Sequence, residues 1–450
     1  MEIENEEKGG VMERVGGWFK KIKNGITGVG KEAKRLGKED PRRIVHSFKV
    51  GLAITAVSLF YYLDFFFDGF GVDAMWAVMT VVVVFEFSVG ATLGKGVNRA
   101  IATLLGGLLG VGAHDLASFT GEKVEVIILG LCLFLIASMT TFFRFFPKLR
   151  ARYDYGLLIF ILTFSLLSVS GYRDDEVLDM AQRRFTTILI GGAAAIFVCI
   201  FIRPVWAGQD LHTHTASNIH KLGTFLEVFG RVYFHEPNED KNQASREDYK
   251  SVLNSNGVQD SLVNFAKWEP RHGKFRYRHP WDQYLKVGSL TRECAYKIDA
   301  LNGYLNSDAQ QTPLELKTKI QESCTKMSSE CGCALSELAI GIETMSWSPC
   351  IDIHIVNAKS GATKLKALMK TGLWAEYSHT DLLTVIPAVT VAALLIDVVS
   401  CTVTIADSVG ELASLSKFKK HDPKTNTQTS MDKLNTTPSL QGSHVNILVE

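Results

Sequence analysis

Eight cysteines in 450 residues are too few and too scattered for the paired framework of a small secreted domain, and Cys132 and Cys199 lie inside apolar runs. A reduced, cytosolic setting is the expectation for the soluble part. No apolar core precedes Val50, so the chain reads as one without a cleavable signal peptide. Catalytic signatures are equally sparse. GATLGKG, at Gly90 to Gly96, is close to a phosphate-binding loop but has one residue too few between its glycines and no Ser or Thr after Lys95. Cys331 and Cys333 lack a second pair at metal-ligand spacing, and His212 and His214 point to different sides of a helix. No nucleophile, base and orienting acid make a set, so neither an enzyme nor a cofactor is expected. The net charge of +1 says little, because 48 basic and 47 acidic side chains cancel only globally and their placement carries the information; nucleic acid is not expected as a partner.

What the chain has is apolar length, unevenly placed. Six segments, at about 50–67, 74–94, 100–113, 126–143, 155–171 and 185–202, approach the roughly 20 residues of a bilayer-crossing helix. The third, AIATLLGGLLGVGA, reaches that length only by taking in flanks such as Arg99 and His114. Six such runs with no amphipathic helix between them predict a membrane domain. The N-terminal tail, the Lys95–Arg99 loop, the Lys148–Arg152 loop and the exit at Arg203 are basic, whereas the other loops carry Asp64, Asp68, Asp73, Asp115, Asp174, Asp175 and Asp179. The positive-inside rule then puts both termini in the cytosol and three hairpins outside. Gly106, Gly107 and Gly110, and the run Gly191 to Ala195, predict close helix packing.

Charges at membrane depth point to function. The run from Ala74 to Phe85 is uncharged, Glu86 interrupts the apolar sequence that follows, and Lys95 and Arg99 close it. Arg144 ends the fourth segment; Arg183 and Arg184 open the sixth. Snorkelling to headgroups explains any one of them. Together they supply positive potential at several depths, and arginine's planar, permanently charged fork suits carboxylates. Glu86 is expected to pair with one of these arginines or to face water. The pattern suggests an anion path.

Past Arg203 the chain turns polar, leaving the membrane through Pro204 and Trp206. Apolar spacing predicts helices over 211–234, 281–305, 314–345 and 358–373, with WEPRHGKFRYRHPW as an ordered loop and no strand-rich portion. The apolar run at 385–400 is a candidate seventh span, but Pro387 interrupts it and Asp381 and Asp397 bracket it, so a buried core helix of this part is the preferred reading. The tail after Phe418 is Ser/Thr-rich and expected to be disordered.

Five stretches carry a resemblance: EDPRRIVHSFKVGLA, WAVMTVVVVFEFSVGATLGKGVNR, FFRFFPKLRARYDYGLLIFILTFSLLSVSGYRD, RPVWAGQDLH and WEPRHGKFRYRHPW. They closely resemble the plant aluminium-activated malate transporters, over about residues 39–420. The resemblance implies an all-α membrane protein: six transmembrane helices followed by a helical cytosolic domain. The expected organisation is a tail at 1–45, a pore domain at 46–204, the cytosolic domain at 205–420 and a disordered tail at 421–450. It implies a homodimeric channel for malate and inorganic anions, with the pore between protomers in the lipid bilayer of the plasma membrane in preference to the vacuolar one. Arg99 and Arg184 match pore arginines, with Lys95 and Arg144 as supporting charges and Glu86 as their intramembrane partner. Asp68, Asp175 and Asp179 match outer carboxylates associated with aluminium ion sensing, and Trp268, Glu269 and Pro270 form a structural motif. The alternatives are a proton-coupled organic-acid exporter using Glu86 and a membrane-tethered scaffold that passes no anions.

Overall fold

An aspartate and a proline start the first long helix. Asp40 accepts the Arg42 backbone N–H at 3.0 Å, and Pro41 occupies the first helical position, where its missing N–H costs nothing. The computed structural model describes residues 24–25, 27–62, 74–119, 122–170, 177–234, 247–275, 279–306, 314–370 and 382–420. They divide into two compact units, parted between Val205 and Trp206, and each is taken by itself.

In the first unit a helical stretch, α1 (27–39), precedes α2 (Pro41–Tyr62), α3 (Ala74–Val84), α4 (Val89–Ser118), α5 (Glu122–Phe143), α6 (Pro147–Ser170) and α7 (Val177–Phe201). Helix α2 begins well before the apolar run at Val50, so Arg42, Arg43, His46 and Lys49 are helical rather than part of a tail. The expected second segment, 74–94, is not one helix. It breaks at Phe85–Ser88, and its second half runs on into the third segment as the 30-residue α4. Lys95 and Arg99 are therefore inside a helix and not in a loop. The cause is local: the Ser88 hydroxyl accepts the Ala91 N–H at 3.2 Å and founds a new helix, while no residue between Gly94 and Ala100 stops it.

Helices α4, α6, α7 and the part of α5 from Val124 are long and apolar enough to cross a membrane. Helix α5 leaves Ile127, Leu131, Phe134, Met139 and Phe142 more than half exposed, an apolar surface suited to lipid. Helix α4 packs on α6 and α7, and α3 packs on α2 and α7. A Cβ on Gly106 would stand 2.9 Å from the Phe160 carbonyl oxygen, and one on Gly110 2.9 Å from Leu167 Cβ, so the small-residue face of α4 is where α6 lies against it.

The second unit holds α8 (Ala207–Phe234), the single turn α9 (Lys250–Leu253), α10 (Asn256–Ala266), α11 (Trp281–Asn306), α12 (Leu314–Thr344), α13 (Cys350–Lys370) and α14 (Leu382–Ser416). Two-residue strands β1 (Ser346–Trp347) and β2 (Lys419–Lys420) pair in parallel. Helix α13 starts earlier than the expected 358, where the Ser348 hydroxyl accepts the Cys350 N–H at 3.4 Å. The core is built from Phe225 and Phe229 of α8, Leu335 and Leu338 of α12, and Val391 and Leu395 of α14, all at most 1% exposed. Residues 385–416 also pass a length-and-hydropathy test for membrane crossing. Their outer face, however, shows Asp397, Asp407 and Glu411, three carboxylates that hydrocarbon would not accept. Helix α14 is a core helix of this unit.

Candidate functional site

A helix that starts at membrane depth must find partners for its first N–H groups. At the α3–α4 break several backbone N–H groups are met locally. The Phe85 N–H reaches the Val81 carbonyl (3.0 Å), the Glu86 N–H the Thr92 hydroxyl (3.0 Å) and the Val89 N–H the Val205 carbonyl (2.9 Å). The Thr92 hydroxyl donates back to the Ser88 carbonyl, and Thr92 is fully buried. These contacts hold Glu86 on a non-helical link and aim the positive end of α4 at the same place.

Glu86 forms an ion pair with Lys95, so its partner is a lysine on the next helix rather than an arginine. Both side chains are about a third exposed, and the pair contributes to position more than to stability. Lys95 Nζ also lies 5.6 Å from the centroid of the Tyr155 ring. The Tyr155 hydroxyl in turn accepts from Arg99 Nη1 at 3.0 Å, and Asn98 donates to the Arg152 carbonyl at 3.0 Å. With a rise of about 1.5 Å per residue, Lys95 and Arg99 stand roughly 9 and 15 Å along α4 from its start. Arg99 is 6% exposed, its Nε has no hydrogen-bond partner, and no carboxylate pairs with it among the described residues.

The remaining cations differ in their company. Arg144, in the turn after α5, makes a two-pronged contact with Asp154, Nε–Oδ1 at 2.7 Å and Nη2–Oδ2 at 3.2 Å, which compensates its charge. The Arg184 guanidinium on α7 lies 4.4 Å from the Trp76 ring centroid on α3. Gly191, two turns further along α7, allows that approach, since a Cβ there would collide with the Ala77 backbone. Asp179 is more than half exposed, 3.8 Å from Arg183. Asp68 and Asp175 lie outside the described residues, as do the acidic positions Asp64, Asp73 and Asp174, the tail at 421–450 and residues 1–23. Among the described residues no three His, Cys, Asp or Glu side chains cluster as a metal site.

Sequence reasoning missed Tyr155, Trp76, Asp154 and Lys49. The first three belong to other helices and carry no spacing signal. Lys49, 1% exposed, donates to the Arg203 carbonyl at 3.2 Å, at the negative end of α7. Its one visible sign is a lysine set directly against an apolar run.

In the second unit the Trp268-Glu269-Pro270 motif sits where α8 begins. The Glu269 carboxylate, 1% exposed, accepts from the Ala207 N–H at 2.6 Å and the Gly208 N–H at 3.0 Å. Trp206 stacks on His272 with centroids 3.9 Å apart. Deeper in, the Tyr284 hydroxyl lies 2.8 Å from His212 Nδ1 and 3.2 Å from His279 Nε2. Burial pushes both imidazoles down from 6.5 to about 4, so they are neutral in the folded chain. Unfolding restores the higher value, and stability is complete above pH 6.5 and lost as pH falls through that range toward 4. Thermal midpoints of the solubilised chain are expected to drop over this window, and less steeply in a His212→Gln variant.

Long apolar helices define a multi-pass α-helical membrane protein. The family model described as aluminium activated malate transporter matches residues 34–374, and the chain belongs to that family. It is 54% identical over 396 residues to aluminum-activated malate transporter 2 of Arabidopsis thaliana, covering 86% of this chain and 78% of the relative. Transporter 1 of the same plant is 50% identical over 398 residues, with 86% and 80% covered. Aluminum-activated malate transporter 1 of Triticum aestivum is 41% identical over 423 residues, with 90% and 91% covered.

Proposed function

We propose that the chain is an anion channel through which malate and inorganic anions leave the cytosol passively. The observation that carries this reading is Arg99: a buried guanidinium on a membrane helix with an unpartnered Nε and no carboxylate partner among the described residues. Such a group is an unsatisfied donor in low dielectric, suited to a passing dicarboxylate. Arg184 supplies a second positive site, and Lys95, steadied by Glu86, a third. In this reading α2 to α7 are the six spans, the second unit faces the cytosol, and a homodimer presents each arginine twice around one pore in the plasma membrane. A 100 mV inside-negative potential gives a dianion about 4.6 kcal/mol of outward drive, twice the roughly 2.3 kcal/mol per unit charge.

Activation by aluminium is assigned to Asp68, Asp175 and Asp179, whose oxygen ligands suit a hard cation and whose bridging would favour an open state. One voltage-clamp experiment tests both parts. With internal malate, outward malate flux should register as inward current that grows with external aluminium, and Asp68→Asn with Asp175→Asn should remove the growth and leave the basal current. Malate flux tied to the pH gradient with no current at fixed potential would overturn the channel in favour of a proton-coupled exporter. An unaltered aluminium response in the double variant would overturn the carboxylate assignment.

A further inference from the structure

Three cysteines that the transport reading does not use meet inside the second unit. Cys294 of α11 is fully buried, Cys331 of α12 is 1% exposed, and Cys401 of α14 is partly exposed. Helices α11 and α14 pack antiparallel, and polar contacts fix their register. Gln283 Nε2 donates to the Ser408 carbonyl at 2.9 Å, Lys286 Nζ reaches Glu411 at 2.7 Å, and Lys297 Nζ reaches Asp397 at 3.3 Å. Moving from Cys294 to Lys297 advances one turn along α11, and moving from Cys401 to Asp397 retreats one turn along α14. The Lys297–Asp397 contact thus places the two cysteines opposite each other, near enough for each thiol to act on the other's proton affinity.

We propose that Cys401 and Cys294 are a reversible thiol–disulfide site, oxidised by hydrogen peroxide, that staples α14 to α11. The sulfur of Cys401, the partly exposed residue of the two, attacks one peroxide oxygen; the O–O bond breaks, water leaves with the thiol proton, and Cys401 becomes a sulfenic acid, oxidised by two electrons. The Cys294 sulfur then attacks the Cys401 sulfur, the S–O bond breaks, and hydroxide leaves with the Cys294 proton as a second water. Reduction by a small dithiol reverses the bond. A disulfide needs Cβ atoms about 3.5–4.5 Å apart, and facing positions on packed helices are the ones that can reach it. Cys331 is a poorer competitor than Cys294, because its side chain is engaged by Thr402. This site is independent of the anion path.

The test uses the full-length chain in detergent, treated with hydrogen peroxide, alkylated with N-ethylmaleimide and digested without reductant. Mass spectrometry is expected to find a Cys294–Cys401 linked peptide as the main oxidised product, absent after dithiothreitol. In Cys294→Ala, Cys401 is expected to be trapped as a dimedone-reactive sulfenic acid; in Cys401→Ser, Cys294 is expected to remain a thiol. A Cys401 that stays reduced, is overoxidised without a link, or links to Cys331 or to a second chain in the wild-type protein would overturn the proposal, and this reading does not depend on either variant folding.

Discussion

Replacing Arg99 with glutamate is expected to reduce malate current by more than about tenfold at unchanged surface level. Two unit charges some 6 Å apart interact by about 2.8 kcal/mol at an effective dielectric near 20, and each 1.4 kcal/mol is about a factor of ten in an equilibrium constant. Arg99 has no carboxylate among the described residues to offset it, so its field is available to a passing anion. Arg99→Lys keeps the charge and gives up the planar fork, and is expected to retain most of the current with altered selectivity between malate and chloride. Tyr155→Phe removes only the hydroxyl that accepts from Arg99, at 3.0 Å, and is the control for a merely structural role. A Tyr155→Phe channel as crippled as Arg99→Glu would mean that the contact, not the charge, matters. Arg184→Glu is expected to act in the same direction. Full current in both reversal variants would end the pore assignment.

Some of this was legible in the sequence, and the reasons differ by element. Long apolar runs announced helices α5, α6 and α7, because a bilayer leaves few other solutions for them. The break at Phe85–Ser88 was not legible. The four consecutive valines before it and the glycines after it look like one apolar run, and only the serine cap and the Val89–Val205 hydrogen bond reveal where one helix stops and another starts. That misreading displaced Lys95 and Arg99 into a loop. Charged groups were visible as candidates, but their partners were not. Arg144 and Asp154 are ten residues apart across a turn, and Arg184 meets Trp76 across two helices, so no local spacing pairs them. Helix α14 shows the converse: its composition fits a membrane span, and its role follows from where Asp397, Asp407 and Glu411 point.

Glu269→Ala is expected to lower the thermal midpoint of the second unit by roughly 6–24 °C. The carboxylate does at a distance what a capping side chain normally does from the residue before a helix: it takes the first two N–H groups of α8, at 2.6 and 3.0 Å. Each is a charge-assisted bond worth about 1.5–3 kcal/mol, and a domain of this size loses roughly 2–4 °C per kcal/mol. Removing the acceptor leaves both donors unsatisfied, because the site is closed to solvent, the Glu269 side chain being 1% exposed. No second acceptor can move in easily. Burial lowers the His272 imidazole's affinity for protons, so the group 3.7 Å from Glu269 is neutral at pH 7 and the carboxylate is balanced by the helix dipole instead. This distinguishes the variants. Glu269→Gln keeps an acceptor oxygen and gives up the charge, and should lose about half as much as Glu269→Ala; His272→Gln, which disturbs stacking but not the cap, should lose less than either. The comparison is a set of thermal melts of the solubilised chain at pH 7. Equal losses for Gln and Ala would assign the effect to charge alone, and an alanine variant melting within about 2 °C of wild type would show that the start of α8 is held by something other than this carboxylate.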